Sequence, residues 1–220
     1  MDAVILAAGR GSRLRGLVAS GMKTLVVVED EPLIVRLIRQ ATTAGAKRVV
    51  LVVSPSNCAA IADVVNANGH DVAYVVQPEP TGPADALRRG LEACETGDVL
   101  VLLGDNVLRD QDVHDVAEAP GELIVGVRGF TADDERLALL TRLRSDGTWV
   151  EKVPLLAEEE TGIAWTGLFR ALRNVMYDVL VRDQDDDDVR GERLLGPRLG
   201  DISKSPVLVD VDALDIGVRE

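Results

Sequence analysis

The sequence predicts an α/β protein in which helices cover both faces of a mixed, mostly parallel sheet, as a three-layer α/β/α sandwich. The first observation is that short, almost wholly apolar runs alternate with helical patterns through the first half of the chain. Such runs are typical of parallel strands buried on both faces. The second is that strand-like runs follow one another after about residue 120, as in antiparallel strands. The third is the 46% hydrophobic content of 220 residues, enough for a sizeable core.

Strands and helices are expected to alternate through the first half. The strands are expected over residues 3–7, 49–53, 72–76 and 99–103, and the helices over residues 33–44, 59–66 and 84–94. Gly45 follows the first helical pattern at the position where glycine commonly ends a helix.

The second half is expected to add an antiparallel portion to the same sheet. Its strands are expected over residues 123–127, 137–143, 149–153, 163–169 and 207–211, and its helices over residues 171–181 and 189–199. Asp146-Gly147 between two of these strands is a hairpin signal. Because there is no internal repeat and no long linker, residues 1–220 are expected to form a single domain.

Charge and composition exclude several classes of partner. A net charge of −13 argues against nucleic acid, because phosphate backbones require a basic face. No apolar run approaches the roughly 20 residues that span a bilayer, so no membrane association is expected. The N-terminus lacks the basic region of a signal peptide, and Cys58 and Cys94 match no metal or disulfide spacing. We therefore expect reduced thiols and a cytoplasmic protein, while a homo-oligomer remains open.

One stretch has the opposite charge character. No Asp or Glu lies between Ala3 and Val28, a stretch that contains four basic residues, namely Arg10, Arg13, Arg15 and Lys23. Ligands bind at the carboxyl ends of strands in open α/β sheets, and this stretch follows the first strand. Gly9 and Gly11 allow the backbone to approach phosphate oxygens closely. The stretch therefore predicts a site for a small polyanion.

Two known phosphate-binding motifs do not fit this stretch. The dinucleotide fingerprint requires a third glycine where Leu14 stands, and the P-loop requires a Gly-Lys-Ser/Thr that is absent. The stretch instead resembles the signature of the sugar-1-phosphate nucleotidyltransferases, which include the glucose-1-phosphate thymidylyltransferases. That signature is Leu-Ala-Ala-Gly-x-Gly-Ser/Thr-Arg, with a lysine ten residues after the arginine, as Lys23 follows Arg13 here. The residues after it, Glu31-Pro32-Leu33-Ile34, are also similar, but Met22 replaces the usual proline.

The resemblance implies a Rossmann-like, GT-A-like fold of the nucleotide-diphospho-sugar transferases and a phosphate-binding first loop. Arg13 and Lys23 would be catalytic. The implied nucleotide-binding residues of this loop are Leu6, Ala8, Gly9, Gly11 and Ser12.

A second segment resembles the family's Gln-Pro-x-Pro-x-Gly-x-Ala-x-Ala motif, and it runs from Gln77 to Ala86. The resemblance implies that Gln77 and Gly82 read a pyrimidine edge and that Asp85 also contributes to nucleotide binding. By itself, the segment would indicate a proline-rich turn that caps a helix near Ala84. Its Gly-Pro-Ala-Asp-Ala part also resembles adenylyl-transferring relatives, so the base stays open.

A third segment, Gly104-Asp105-Asn106, resembles the family's Gly-Asp-Asn/His, whose aspartate binds Mg²⁺. Hard oxygen ligands at a strand end suit Mg²⁺ bridging phosphates, although a lone aspartate there could instead cap a helix. Asp215, in the segment 213–217, matches the family's second metal-binding aspartate. The family's Trp and final Thr are missing from that segment.

Two segments match the family's sugar side. Glu151 and Lys152 match Val-x-Glu-Lys-Pro, which implies that they bind the sugar hydroxyls and the sugar phosphate, with Lys152 also catalytic. Val153 is inserted before the proline. Thr166 and Gly167 match the Thr-Gly-Leu/Ile-Tyr strand that lines the sugar pocket. Ala138, where many relatives have glycine under the sugar, also bears on this pocket. Separately, Glu192 in Arg190-Gly191-Glu192 resembles a family acid.

The resemblance implies a Mg²⁺-dependent enzyme of nucleotide-sugar biosynthesis. It would transfer a nucleoside monophosphate from an NTP, with dTTP or UTP favoured, to a sugar 1-phosphate. Residues 1 to about 118 would bind the nucleotide, and residues from about 119 to 220 the sugar phosphate. Two alternatives remain. One is a cytidylyl-, guanylyl- or adenylyltransferase acting on another phosphorylated small molecule, and the other is a catalytically idle regulatory homologue that binds nucleotide sugars.

Overall fold

The computed structural model describes residues 1–9, 22–131, 141–144, 148–150, 161–182, 193–203 and 205–215. Its strands, in chain order, are β1 (Asp2–Leu6), β2 (Val27–Val28), β3 (Glu31–Pro32), β4 (Val49–Val53), β5 (Ala73–Val76), β6 (Asp98–Leu103), β7 (Asn106–Val107), β8 (Leu123–Thr131), β9 (Arg142–Leu143), β10 (Trp149–Val150), β11 (Thr161–Leu172), β12 (Val207–Asp210) and β13 (Leu214–Asp215). Its helices are α1 (Leu33–Thr43), α2 (Cys58–Ala67), α3 (Pro83–Glu92), α4 (Asp110–Glu118), α5 (Arg173–Arg182) and α6 (Gly196–Ile202).

The central sheet is mixed and its nucleotide side is parallel, as predicted. Strands β6, β1, β4 and β5 lie side by side in that order, and all three pairings are parallel. The residues of β1 and β4 are all buried, which explains why their sequences are apolar without alternation. The carboxyl ends of these four strands therefore meet at one edge of the sheet.

The second half of the chain completes the same sheet rather than forming a separate one. Strand β11 pairs antiparallel with β6 on one side and with β8 on the other, and β12 adds to β8 in parallel. The short strands β9 and β10 pair antiparallel, and Arg144 N donates to Thr148 O at 2.9 Å. The Asp146-Gly147 turn predicted between them lies outside the described residues.

Helices pack on both faces of the sheet, which confirms the three-layer α/β/α arrangement. Alternate residues of the first strand point to opposite faces: Ala3 and Ile5 join a core with α1, α2 and α4. Val4 and Leu6 join a second core with α3, α5 and α6. None of the described helices is both long and apolar enough to span a bilayer.

Among the differences from the sequence predictions, two concern helices. Helix α4 was not predicted, because only a few of its residues, among them Val113 and Val116, are apolar and buried. The helix expected over residues 189–199 is correct for residues 196–199 and wrong for residues 193–195, since α6 begins only at Gly196, with a proline in its first turn. Proline is well placed at the start of a helix because it has no N–H to donate, and this marks Gly196 as the true start.

Candidate active site

The first strand ends beside the end of β6. Leu6 and Ala8 are buried and Gly9 is exposed. Gly104 N donates to Leu6 O at 2.9 Å, and a Cβ at residue 104 would lie only 2.7 Å from that oxygen. Glycine at residue 104 thus brings the two strand ends together, so that the chain leaves β1 next to Asp105.

A residue that the sequence analysis did not identify supports this strand end. Asn57 is buried, and its Nδ2 donates to Ala7 O at 2.8 Å. Its Oδ1 accepts from Ser54 N at 2.8 Å, so both ends of the amide are used. Asn57 therefore fixes the backbone just before the glycines of the predicted phosphate loop.

Lys23 and Asp105 come together at this edge of the sheet. Lys23 Nζ lies 2.8 Å from Asp105 Oδ2, with the side chains 14% and 32% exposed. Both residues were predicted site residues on separate segments. The structure thus places a cation and a carboxylate in contact while leaving the carboxylate partly open to solvent.

A short 3-10 turn over Lys23–Leu25 carries the lysine. Thr24 in this turn is buried, and the turn packs against α1. Met22 precedes the turn in extended conformation, with its carbonyl accepting from Leu25 N at 3.2 Å. The methionine that replaces the usual proline is therefore compatible with a defined position for Lys23.

Asp215 approaches Asp105 through the backbone. Strand β13 pairs antiparallel with β7, and Asp215 is the register partner of Asn106, the residue after Asp105. The family-like segments around Asp105 and Asp215 are therefore adjacent. Hard carboxylate oxygens from two strand ends suit Mg²⁺, which commonly takes one or two protein carboxylates and completes its shell with phosphates and water. The described residues contain no group of three or more metal-ligating side chains, and such a magnesium site needs none.

The side chain of Asn106 holds the strand that was predicted to line the sugar pocket. Its Nδ2 donates to Thr166 O, and Thr166 Oγ1 donates to Gly126 O at 2.8 Å. Gly167 has a φ of +81°, and a Cβ there would meet Asn106 Nδ2 and lie 2.8 Å from Leu103 Cδ1. Glycine at residue 167 is therefore required both by backbone conformation and by space.

This contact coincides with an irregularity in β11. Its register against β8 shifts between Trp165 and Phe169, so Thr166 and Gly167 leave the regular ladder. Trp165 Nε1 donates to Leu168 O at 3.2 Å across the bulge. Bulges beside sites commonly redirect backbone groups, and this one brings Thr166 and Gly167 beside Asn106.

The predicted base-reading segment forms a closed loop between β5 and α3. Gln77 is 4% exposed, and Gly82 has a φ of +99°. A Cβ at residue 82 would lie 2.6 Å from Arg193 O, so the backbone at Arg193 packs directly on the glycine. Arg193 N donates to Thr81 O at 2.8 Å, and Ala84 N donates to Arg193 O at 3.2 Å. The loop is thus held by a segment 111 residues further along the chain.

Asp85 is buried under this loop and is surrounded by donors. Thr81 Oγ1 lies 2.6 Å from its carboxylate and Gln77 Nε2 lies 3.0 Å from it. Arg88 and Arg89 form ion pairs with it at 3.1 and 2.9 Å. Burial alone would raise the pKa of Asp85, but these hydrogen bonds outweigh it and hold the pKa well below its usual range. Asp85 was expected to contribute to nucleotide binding, and its contacts here are internal.

Several predicted site residues lie outside the described residues. They are Gly11, Ser12 and Arg13 of the first loop, together with Glu151 and Lys152 of the sugar side. Ala138, Val153 and Glu192 lie outside them as well. The roles expected for these residues stay predictions.

Comparison with solved structures supports the fold. HddC from Yersinia pseudotuberculosis superposes with a TM-score of 0.68 at 19% identity, covering 99% of this chain and 94% of that one. The inositol-1-phosphate CTP transferase from T. maritima superposes with a TM-score of 0.75 at 18% identity, covering 98% and 89%. At these identities the likeness shows the fold alone.

Sequence relatives and a family model extend the comparison. A glucose-1-phosphate thymidylyltransferase of Neisseria gonorrhoeae is 30% identical over 149 residues, which are 64% of this chain and 51% of that protein. The bifunctional protein GlmU of Hyphomonas neptunium is 35% identical over 139 residues, which are 61% of this chain and 29% of that protein. The chain spans about half the length of the first of these relatives. The family model described as the MobA-like NTP transferase domain matches residues 3–175, and the chain belongs to this family.

Proposed function

We propose that this protein transfers a nucleoside monophosphate from an NTP, with dTTP or UTP favoured, to a sugar 1-phosphate. The products would be an NDP-sugar and pyrophosphate, which belongs to nucleotide-sugar biosynthesis. The observation that carries this proposal is the contact between Lys23 and Asp105 at the carboxyl edge of the parallel strands. Family membership supports the nucleotidyl transfer itself.

The proposed nucleotidyl transfer requires positive charge that offsets phosphate repulsion, rather than a general base. A sugar 1-phosphate has a second pKa of about 6, so near neutral pH it is largely a dianion that can attack the α-phosphorus directly. Two unit charges 4 Å apart repel by about 4 kcal/mol at an effective dielectric of 20. The ammonium group of Lys23 would offset this repulsion and hold the triphosphate in line. Arg13 and Lys152 are proposed to do the same from the first loop and the sugar side.

A magnesium ion is part of the proposal. Asp105 and Asp215 would hold it, because their segments are adjacent through the pairing of β7 with β13. When bound, Mg²⁺ would supply positive charge to the phosphate oxygens. Asp105 is 32% exposed, which leaves room for a cation to reach its carboxylate.

The two substrates would occupy the two halves of the single domain. Residues 1 to about 118 would bind the nucleotide, with Gln77 and Gly82 next to the base. Residues from about 119 to 220 would bind the sugar phosphate, with Thr166 and Gly167 lining its pocket. The contact between Asn106 and Thr166 supports this arrangement because it joins the strand end at Asp105 to the proposed sugar pocket.

The proposal is tested by pyrophosphate release from the purified chain with Mg²⁺. ATP, GTP, CTP, UTP and dTTP would each be offered with several sugar 1-phosphates, and pyrophosphate measured with a coupled assay. We expect release above background only when both an NTP and a sugar 1-phosphate are present, and fastest with UTP or dTTP. Release with another phosphorylated acceptor alone would overturn the choice of sugar 1-phosphate. Nucleotide-sugar binding without release under any combination would favour the idle regulatory homologue.

A further inference from the structure

The amide group of Gln77 is fixed by its surroundings. Its Nε2 donates to Asp85 Oδ2 and to Gly82 O, both at 3.0 Å, and lies 3.2 Å from Thr81 Oγ1. Within the described part of the chain, no residue donates a hydrogen bond to its amide oxygen. The donor end of Gln77 is thus fully used inside the loop, and only its acceptor end remains for a ligand.

The neighbouring acceptors determine which amide atom of Gln77 is the nitrogen and which is the oxygen. An ionised carboxylate and a backbone carbonyl can only accept hydrogen bonds. The amide atom that faces both Asp85 and Gly82 O must therefore be the nitrogen, since an oxygen there would face two other acceptors. Asp85 is ionised at neutral pH because four donors surround it, so this preference persists.

We propose that Asp85 is a positioning residue that turns the amide oxygen of Gln77, and not its nitrogen, toward the nucleotide base. This inference rests on the proposed function, in which Gln77 lies next to the base. An acceptor at that point pairs with the N3–H of uracil and thymine and meets a lone pair at N3 of cytosine. Asp85 would thereby set the preference for UTP and dTTP over CTP without touching either nucleotide.

The proposal is tested by equilibrium binding, so that it does not depend on turnover. Isothermal titration calorimetry with Mg²⁺ gives Kd for UTP, dTTP and CTP. We expect the wild type to bind UTP and dTTP at least about tenfold more tightly than CTP, a ratio that one well-placed hydrogen bond can supply. In Asp85→Ala the amide nitrogen keeps Gly82 O but loses its ionised acceptor, so the amide is less firmly oriented and the ratio should fall to within about threefold. Asp85→Asn keeps an oxygen acceptor for Gln77 and should retain most of the ratio.

Two further variants separate positioning from loss of structure. Asp2→Ala also removes a buried carboxylate, which accepts from Glu95 N and Thr96 N at the opposite end of β1, and it should leave the ratio unchanged. Gln77→Glu leaves Asp85 and its arginine partners in place, and it fits this position as the protonated acid, whose O–H donates to Asp85 as the amide nitrogen did while the other oxygen faces the base. It should keep the preference for UTP, and it tests the proposal even where Asp85→Ala does not fold.

Nucleotide binding and pyrophosphate release together distinguish failure of the role of Asp85 from failure of the proposed reaction. An unchanged ratio in folded Asp85→Ala, or a preference for CTP in the wild type or in Gln77→Glu, would overturn the role of Asp85. Tight, selective binding of UTP without pyrophosphate release would overturn the proposed reaction and leave the role of Asp85 standing. A wild type that binds no nucleotide would overturn both.

Discussion

Lys23 and Asp105 lie 82 residues apart in the sequence, and their side chains form an ion pair with an Nζ–Oδ2 distance of 2.8 Å. The pair joins the end of the basic first segment to the end of β6. It therefore places the proposed phosphate-binding cation and the proposed metal ligand within reach of the same triphosphate.

Removing either partner should reduce turnover while the protein stays folded. Lys23→Ala loses a positive charge that would offset phosphate repulsion, and Asp105→Asn loses the proposed metal ligand. We expect each to lower kcat by more than about tenfold, as for other electrostatic contributors to transition-state stabilisation. Pyrophosphate release measures the effect, and circular dichroism checks the fold. The exposed replacements Lys47→Ala and Asp71→Asn are matched controls that should keep wild-type rates. Wild-type turnover in folded Asp105→Asn would contradict the metal assignment.

The same ion pair predicts competition between the lysine and a divalent cation. In the absence of nucleotide, a metal ion at Asp105 would share its carboxylate with the ammonium of Lys23 and be repelled by that charge. A partly exposed ion pair contributes up to about 1 kcal/mol, so Lys23→Met should tighten nucleotide-free Mn²⁺ binding by about two- to fivefold. Electron paramagnetic resonance of free Mn²⁺ measures this affinity. Asp105→Asn should weaken it, and unchanged binding in Lys23→Met would show that the two cations occupy different sites.

Gly167 should tolerate no side chain. Gly167→Ala would hold alanine at a φ of +81°, with its Cβ against Asn106 and 2.8 Å from Leu103. Such backbone strain costs about 1–3 kcal/mol, and the steric conflict adds to it. We expect a loss of at least about 2 kcal/mol in the free energy of unfolding, measured by urea denaturation. Gly129→Ala is the matched control, since its Cβ would have nothing within 4 Å and the residue is exposed. Equal stability of the two variants would contradict the contact.

Asp85 should make stability depend on acidity. Its pKa is lower in the folded protein than the value of about 3.9 in an unfolded chain, so the folded state favours the ionised form. The resulting stabilisation is fully present above pH 4 to 5 and declines as the pH falls through and below that range. Urea midpoints of the wild type should therefore drop more steeply between pH 6 and pH 3 than those of Asp85→Asn. Parallel curves would show that the Asp85 carboxylate has no lowered pKa.

Local sequence patterns were sufficient for most of the regular structure. The predicted strand over residues 49–53 agrees with β4, and the predicted helix that ends before Gly45 agrees with α1. A strand buried on both faces is apolar throughout, and a helix buried on one side has apolar residues at helical spacing, so both patterns are visible in the sequence. The apolar pattern of helix α4 was too weak to predict a helix, since its first turn contains Asp110 and Asp112 and few of its residues are apolar.

The candidate site was predictable only where a motif carries chemistry. Asp105 was found because a carboxylate follows a predicted strand in a family-like motif, and Lys23 because it lies in the basic stretch ten residues after Arg13. Asn57 and Asn106 were not identified as supporting residues, because each acts through a bond from its side chain to a backbone carbonyl 50 or 60 residues away. Such contacts leave no periodicity in the sequence, and only the folded chain reveals them.

The backbone contact between Arg193 and Gly82 makes one loop depend on two distant stretches of the chain. The segment that the family model matches ends at residue 175, whereas Arg193, whose backbone packs on Gly82 in the loop between β5 and α3, lies beyond it. A chimera that joined the first 175 residues of this chain to the tail of a relative would keep Gln77 and Asp85, but the backbone that packs on Gly82 would come from the relative. If this loop reads the base as proposed, nucleotide choice therefore depends on two distant stretches of the chain, and a change near Arg193 can alter it without any change to the motif itself.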